Sequence, residues 1–389
     1  MNHSFADNTL TIFLSGRIDT TNAPQIESEI DEIRAPYADA GLILDAEELE
    51  YLSSAGLRVI LRLRKSTKEF KIINVNTEVY EIFELTGFSE MMPIEKAYRK
   101  MSVDGCKVLG EGSNGVVYRY DDELVIKVYR NPDALDDIRR ERELARKALI
   151  LGIPTAIPFD VVKVGDKFAS VFELLDAKSF SWLIAADPDG REKYIDLFVE
   201  LLQQIHSTEV NPADMPDMKK VAVGWCMFLK DYLPEDTYDK LITLVNAVPD
   251  RNTMIHGDYH TNNVEMQNGE VLLIDMDTLS HGHPIFELAS SYLGFVGFGE
   301  LDGTTIERFL KIPYDLACKV WKSIIRKYLN SDDEAYVTSV ENKARTLGYV
   351  RLMRRTIRRG GGTPEANALI AHCRENIIDL LKQVDSLDF

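Results

Sequence analysis

The chain has 389 residues, more than one ordinary domain needs, and 45% of them are hydrophobic, enough for more than one buried core. Its formal charge is −18, and both the first hundred residues and the remainder are acidic. That excludes nucleic acid or an anionic membrane as the expected partner, because such binding draws on Lys and Arg.

Cys106, Cys226, Cys318 and Cys373 lie far apart with no CxxC pair, so neither a disulfide framework nor a thiolate metal site is expected. A reducing, cytoplasmic location follows from that usage. The opening MNHSFADNTLTIFL has no basic segment followed by a long apolar run, and no stretch reaches 18 apolar residues. Neither a signal peptide nor a transmembrane helix is therefore expected.

The first hundred residues alternate strand-like and helix-like segments. Thr9–Leu14 is apolar and β-branched and ends at the turn signal Ser15-Gly16. Asn22 is placed to cap a helix that begins near Pro24 and carries Ile26, Ile30 and Ile33 at helical spacing. GLILD at 41–45 reads as a short buried strand. Ser54–Ser66 reads as a helix with Leu57, Ile60 and Leu61 on one face. FKIINV at 70–75 is a strand, and Thr77–Leu85 is a helix stopped by Gly87. The alternation predicts a small α/β domain over 1–98, followed by a linker at 99–104. Residues 105–175 then read as strand-rich with one charged helix at 136–151, and 176–389 as mostly helical. The expected class is α/β plus α+β, in three packing units.

Gly110-Glu-Gly112-Ser113-Asn-Gly115-Val-Val117 is G-x-G-x-x-G-x-V, flanked on both sides by residues of strand character. A strand–loop–strand setting suits a flap over phosphates, because glycines let backbone N–H groups approach them. It disfavours a dinucleotide fold, which needs a helix directly after the glycines. Twelve residues past Gly115, Lys127 stands in the apolar strand LVIKVY. Beside such a loop it reads as the lysine that pairs with the α- and β-phosphates. Glu143, on the charged helix, is the candidate carboxylate to hold it, with Glu141 as the alternative.

Further on, IHGDYHTNNV at 255–264 is followed by VLLIDMD at 271–277. Asp258 is followed five residues later by Asn263, and Asp275 comes 12 beyond that. Phosphoryl transfer needs a carboxylate near the acceptor hydroxyl and oxygen ligands for Mg²⁺, and these three residues supply that set. His256 and His260 read as bracing the loop, and His206 as packing on a helix. Arg351, Arg354, Arg355, Arg358 and Arg359 fall on one helical face, either a solvated face pairing with the acidic body or a site for an anionic ligand.

HGDYHTNN with IDMDT resembles the motifs of the aminoglycoside phosphotransferase and choline kinase-like family over about 104–289, with 290–389 a divergent helical tail. The resemblance implies a bilobal, protein-kinase-like fold, with a strand-rich lobe at 105–175 and a helical lobe at 176–389. It also implies ATP and Mg²⁺ as cofactors. By resemblance, Asp258 is the base or acceptor-orienting group, Asn263 and Asp275 bind metal, and Lys127 with Glu143 anchors the nucleotide. The segment Phe172-Glu173-Leu174-Leu175 would be the hinge that reads adenine through its backbone. GHPIFELA at 282–289 departs from the family pattern, with Glu287 where Asp is usual. That exchange is expected to weaken or reshape a structural bond under the loop.

The front module, with LSGRID at 14–19 and DAEELEYLSSAGL at 45–57, resembles a STAS domain, the fold of bacterial anti-sigma factor antagonists. In that family a serine at this helix start is phosphorylated to switch partner binding. Ser54 is the matching position, preceded by Ser53 where an acidic residue is usual. A helix N-terminus would stabilise an added phosphate; equally, Ser53 or Ser54 would serve as a plain N-cap. The combined expectation is an ATP-dependent phosphotransferase acting on a small-molecule hydroxyl and regulated or docked through the STAS module. The alternative is a signalling kinase that modifies a STAS serine or another protein.

Overall fold

Strands β1 (His3–Ala6), β2 (Thr9–Ile18), β3 (Gly41–Leu52), β4 (Phe70–Val75) and β5 (Ile94–Lys96) pair in the order β1-β2-β3-β4-β5. β1 runs antiparallel to β2, and the remaining pairs are parallel. Parallel neighbours need crossovers. These are α1 (Ala23–Arg34), α2 (Ser54–Lys65) and α3 (Thr77–Leu85), with the short α4 (Phe88–Met91) before β5. Leu10, Ile12, Leu14, Leu42, Leu44 and Ile72 form the buried centre of this sheet. Each such side chain contributes about 1.5–3 kcal/mol on burial.

Two local expectations change. β3 continues well past Asp45, because Leu49 and Leu52 keep facing the core and the ladder with β2 survives through register shifts. Asn22 precedes α1 but makes no side-chain cap; its Oδ1 accepts from the Asp19 N–H and its Nδ2 donates to Arg17 O. At α2 the cap is Ser53, whose Oγ accepts from the Gly56 N–H at 3.4 Å. A Cβ on Gly56 would stand 2.5 Å from Leu52 Cδ1, so glycine lets this helix start lie against the strand ends.

The computed structural model describes residues 1–112 and 114–389. They divide into one unit of Met1–Asp104 with Val161–Ala169 and a second of Gly105–Asp160 with Ser170–Phe389. Within the first unit the segment at 99–104 is tied down, with Met101 N donating to Lys163 O and Lys163 N to Arg99 O.

Strands β6 (Lys107–Glu111), β7 (Gly115–Arg119), β8 (Leu124–Tyr129), β9 (Pro158–Val164) and β10 (Lys167–Glu173) pair in the order β6-β7-β8-β10-β9. Helix α5 (Leu135–Ile150) lies between β8 and β9 in the chain. After β10 come β11 (Lys178–Ser179), α6 (Phe180–Ala186), α7 (Arg191–Ser207), α8 (Met218–Phe228), α9 (Glu235–Asn246) and β12 (Met254–Ile255). Next are β13 (Val264–Gln267), β14 (Glu270–Leu273), β15 (Ser280–His281) and α10 (Ile285–Phe295). The chain ends with α11 (Thr304–Leu310), α12 (Tyr314–Leu329), α13 (Glu334–Arg358) and α14 (Pro364–Leu380).

Every residue of α10 is buried, which makes this helix the axis of the helical core. β11, β13 and β14 form one small sheet, and β12 with β15 another. The loop 256–263 joins the two, which sets its side chains at the edge of that core. Among the described residues, no helix is long and apolar enough to cross a membrane.

Candidate active site

The glycine loop lies between β6 and β7, which pair antiparallel with Gly110 opposite Val117. Gly112 N donates to Gly115 O at 2.9 Å and closes the turn. A Cβ on Gly115 would stand 2.3 Å from Val128 O, so only glycine allows β7 to approach β8 there. A Cβ on Gly110 or Gly112 would meet nothing within 4 Å, which leaves the outer face of the loop open. Ser113 lies outside the described residues.

Lys127 sits on β8 opposite Val117. Its Nζ donates to Glu141 Oε1 at 2.7 Å and to Asp275 Oδ1 at 3.0 Å. Burial works against the ammonium charge, and the two carboxylates more than restore it, so the lysine stays protonated. The carboxylate that holds it is therefore Glu141 and not Glu143. Residues two apart on a helix point in nearly opposite directions. Glu141 faces inward from α5 and is buried, while Glu143 is exposed and pairs with Lys147 at 2.7 Å. Tyr129 also donates to Glu141, fixing its second oxygen.

Glu173 closes β10. Its Oε1 accepts from the Ile157 N–H at 2.9 Å, and Leu174 N donates to Glu123 O at 2.6 Å. These bonds set the path of the chain through Leu175 towards β11.

Asp258, Asn263 and Asp275 come together as expected from their order in the chain. Asn263 Nδ2 donates to Asp258 O at 3.0 Å, which leaves its amide oxygen to accept. Ile274 N donates to Asn263 O at 2.9 Å, locking the turn before Asp275 to the loop. Asp275 itself holds φ at +65°, a left-handed conformation costing about 1–3 kcal/mol in a non-glycine residue. Asp277 accepts from Asn114 Nδ2 at 2.6 Å. Burial, together with the Asp275 and Glu141 charges, pushes its carboxyl well above the usual range.

The donor set fits a hard divalent cation. Carboxylate and amide oxygens meet at one edge, where, after burial, the Asp275 and Glu141 charges still raise the Asp277 carboxyl although Lys127 opposes them. Among the described residues no cluster of three His, Cys, Asp or Glu forms a complete cage. Such a cation would therefore share its coordination with a substrate's oxygens.

Asp258 is half-buried. Burial would raise its pKa, but His260 and Arg351 overcome that and hold the carboxyl well below the usual range. His260 Nε2 is 3.5 Å from Asp258 Oδ2, so this histidine faces the carboxylate and does more than brace the loop. The place of Arg351 beside Asp258 is one the sequence did not reveal. It comes from α13, donates from Nη1 to Gly257 O at 2.7 Å, and lies 3.8 Å from Asp258 Oδ1. Only its position on an arginine-rich helical face hinted at a role. His256 is buried and meets Ile274 O through Nε2 at 3.2 Å. His206 packs in the core with Nδ1 against Tyr328 OH at 2.7 Å.

Glu287 does not weaken the loop. Its buried carboxylate accepts from His256 N at 2.6 Å, Gly257 N at 2.9 Å and Tyr259 N at 3.2 Å. The extra methylene reaches these amides from α10, where Ser290 and Ser291 also donate to Gly257 O and Tyr259 O, each at 2.9 Å. Gly257 has φ +85°, and a Cβ there would stand 2.7 Å from Thr278 O, so the turn requires glycine. In the first unit, Ser54 is the first residue of α2 and is exposed.

Residues 105–316 match the family model of the phosphotransferase enzyme family, and residues 2–101 match that of the STAS domain. The front module is 36% identical over 95 residues to BtrV of Bordetella bronchiseptica, assigned as an anti-sigma factor antagonist. That match covers 23% of this chain and 78% of that protein. It is 27% identical to the anti-sigma-B factor antagonist of Listeria monocytogenes, covering 24% of this chain and 84% of that one. Among solved structures, a thermostable mutant of aminoglycoside phosphotransferase APH(4)-Ia aligns with TM-score 0.50 and 13% identity, over 71% of this chain and 94% of that one. That likeness is one of fold. With its glycine loop, Lys127–Glu141 pair and Asp258–Asn263–Asp275 set on a kinase-like frame, the chain belongs to the phosphotransferase enzyme family and carries a STAS domain in front of it.

Proposed function

We propose that the chain transfers the γ-phosphoryl group of ATP, carried with Mg²⁺, to a hydroxyl of a small-molecule acceptor in the cytoplasm, with the STAS unit as a regulatory or docking element. The observation that carries this reading is the bond from Lys127 to both Glu141 and Asp275, which brings the phosphate lysine beside the metal-ligand turn. Lys127 binds the α- and β-phosphates, and the glycine loop between β6 and β7 covers them. The chain after β10, at Glu173 and Leu175, meets the base through its backbone. Asn263 and Asp275 hold Mg²⁺, which when bound neutralises charge on the phosphates. Asp258 orients the acceptor hydroxyl and takes its proton as the oxygen bonds to the γ-phosphorus and the bond from that phosphorus to the ADP oxygen breaks. His260 and Arg351 keep Asp258 ionised for that task.

The test is ADP release with an added acceptor. Turnover is expected to require ATP, Mg²⁺ and the acceptor and to vanish in Asp258→Ala; retained turnover in that variant rejects the assignment. A second reading, in which the enzyme modifies a STAS serine, is favoured by the exposure of Ser54 at the start of α2. It requires phosphate on intact protein after incubation with ATP, and mass spectrometry finding none would rule it out.

A further inference from the structure

The end of α13 carries a cluster of arginines, of which Arg354, Arg355 and Arg358 lie beyond Arg351. The chain's net charge is −18, and some of its basic side chains find carboxylates, as Lys327 does with Asp196 and Lys240 with Asp385. Among the described residues, Arg354, Arg355, Arg358 and Arg359 have no carboxylate within 4.0 Å. Arg354 Nε is buried without a hydrogen-bond partner. Burial, and after it the neighbouring arginines, push the guanidinium pKa values of Arg354 and Arg355 down, with Asp258 opposing the shift at Arg355. Of this face, Arg351 pairs with a carboxylate, that of Asp258, and the other four arginines do not among the described residues. A helix C-terminus favours cations. That accounts for arginines in the last turn of α13, but not for Arg351, two turns inside.

The place of these arginines is informative. Arg351 reaches Asp258 and lies over the Trp225 ring at 5.6 Å. Arg354 lies over Phe228 at 5.8 Å and Arg355 over Phe298 at 5.2 Å. Phe298 packs on Phe309, Phe309 on His260, and His260 faces Asp258. Trp225, Phe228 and Phe298 thus each already hold a guanidinium group. Free aromatic faces and carboxylates are what a quaternary ammonium or polyamine acceptor needs. A guanidinium stacked on a ring keeps its N–H edge free, the geometry that binds carboxylate or phosphate in two parallel bonds.

We propose that the acceptor is an anionic hydroxy compound, its hydroxyl at Asp258 and its carboxylate or phosphate held by Arg355 and Arg358. This rests on the phosphotransferase reading above and names its substrate class. Arg355 and Arg358 lie about 6 and 10 Å beyond Arg351 along the helix axis, which suits a short carbon skeleton between the two groups. The transfer balances as before: the hydroxyl proton passes to Asp258, the new O–P bond forms and ADP leaves.

The test uses the full chain and skeletons that differ only in charge. One series is glucose, glucosamine, gluconate and glucose 6-phosphate; the other is glycerol, ethanolamine, glycerate and glycerol 3-phosphate. Binding of each to the chain loaded with ADP and Mg²⁺ is read by calorimetry, and turnover by ADP release. At least one anionic member is expected to bind at least tenfold more tightly than its neutral and cationic counterparts. In Arg355→Gln/Arg358→Gln that preference should fall about tenfold, through KM and not kcat, with Arg355→Lys/Arg358→Lys recovering part of it. Thermal melting confirms that the variants fold. Preference for a cationic or neutral member overturns the proposal, as does anion binding unchanged in the double Gln variant or no binding by any anionic member. Failure of the underlying reading looks different: ATP with Mg²⁺ does not bind the wild-type chain, whatever the acceptor series shows.

Discussion

Lys127 donates to Glu141 across 2.7 Å, while Glu143, two residues further along the same helix, turns outward to Lys147. The two glutamates therefore make a matched pair for mutation. Breaking a buried ion pair by removing one partner costs about 3–5 kcal/mol. If that loss falls on the bound nucleotide, Glu141→Gln lowers kcat/KM for ATP by roughly 10²–10⁴-fold. Glu143→Gln should stay within about twofold, since an exposed i,i+4 pair contributes only about 0.3–0.5 kcal/mol. Steady-state kinetics with ATP varied separates the two outcomes.

Asp258→Asn keeps the shape of the side chain and removes its ability to take a proton. The expected loss is about 10²–10⁴ in kcat, with little change in KM for ATP. Equal losses in kcat and ATP affinity would assign Asp258 to nucleotide binding instead.

Metal removal should silence the enzyme. Turnover is expected to stop with excess EDTA and return with Mg²⁺, and Asp275→Asn should raise the Mg²⁺ concentration needed for half-maximal rate by at least tenfold. Titration of activity against free Mg²⁺ checks both.

Glu287 offers a stability experiment. Glu287→Ala strands three buried amide N–H groups at about 1–3 kcal/mol for each. A loss of at least about 3 kcal/mol follows, read as a fall of several degrees in Tm. Glu287→Asp, one methylene shorter, should recover part of it.

Ser53 and Ser54 should separate in the same way. Ser53→Ala removes the cap of α2 and costs about 0.5–2 kcal/mol, whereas Ser54→Ala, whose side chain is exposed, stays within about 0.5 kcal/mol. Equilibrium denaturation of the full chain tests the difference.

Much of this architecture was legible in the sequence, for identifiable reasons. FKIINV and Thr77–Leu85 carry their own period and their own stops, and the structure keeps both ranges. Asp258, Asn263 and Asp275 are legible because the chemistry needs them close together in the chain. Lys127 found the wrong glutamate because Glu141 and Glu143 differ only in which way a helix turns them, and that depends on packing against β8. Glu287 looked like a defect because motif reading counts residue types, whereas its bonds depend on where α10 lies. Arg351 is 93 residues from Asp258 in the chain, and no local pattern links them. The continuation of β3 past Asp45 was hidden because the ladder crosses irregularities that turn residues imitate.

Glu287 grips main-chain amides, and every residue except proline has one. The clamp is therefore blind to the lettering of the loop it holds and sensitive only to its path. A designer could transplant a foreign loop of the same backbone trace onto α10 and expect it to seat, provided proline is kept from positions 256, 257 and 259 and glycine stays at 257. Grafting then becomes a matter of curvature, not vocabulary.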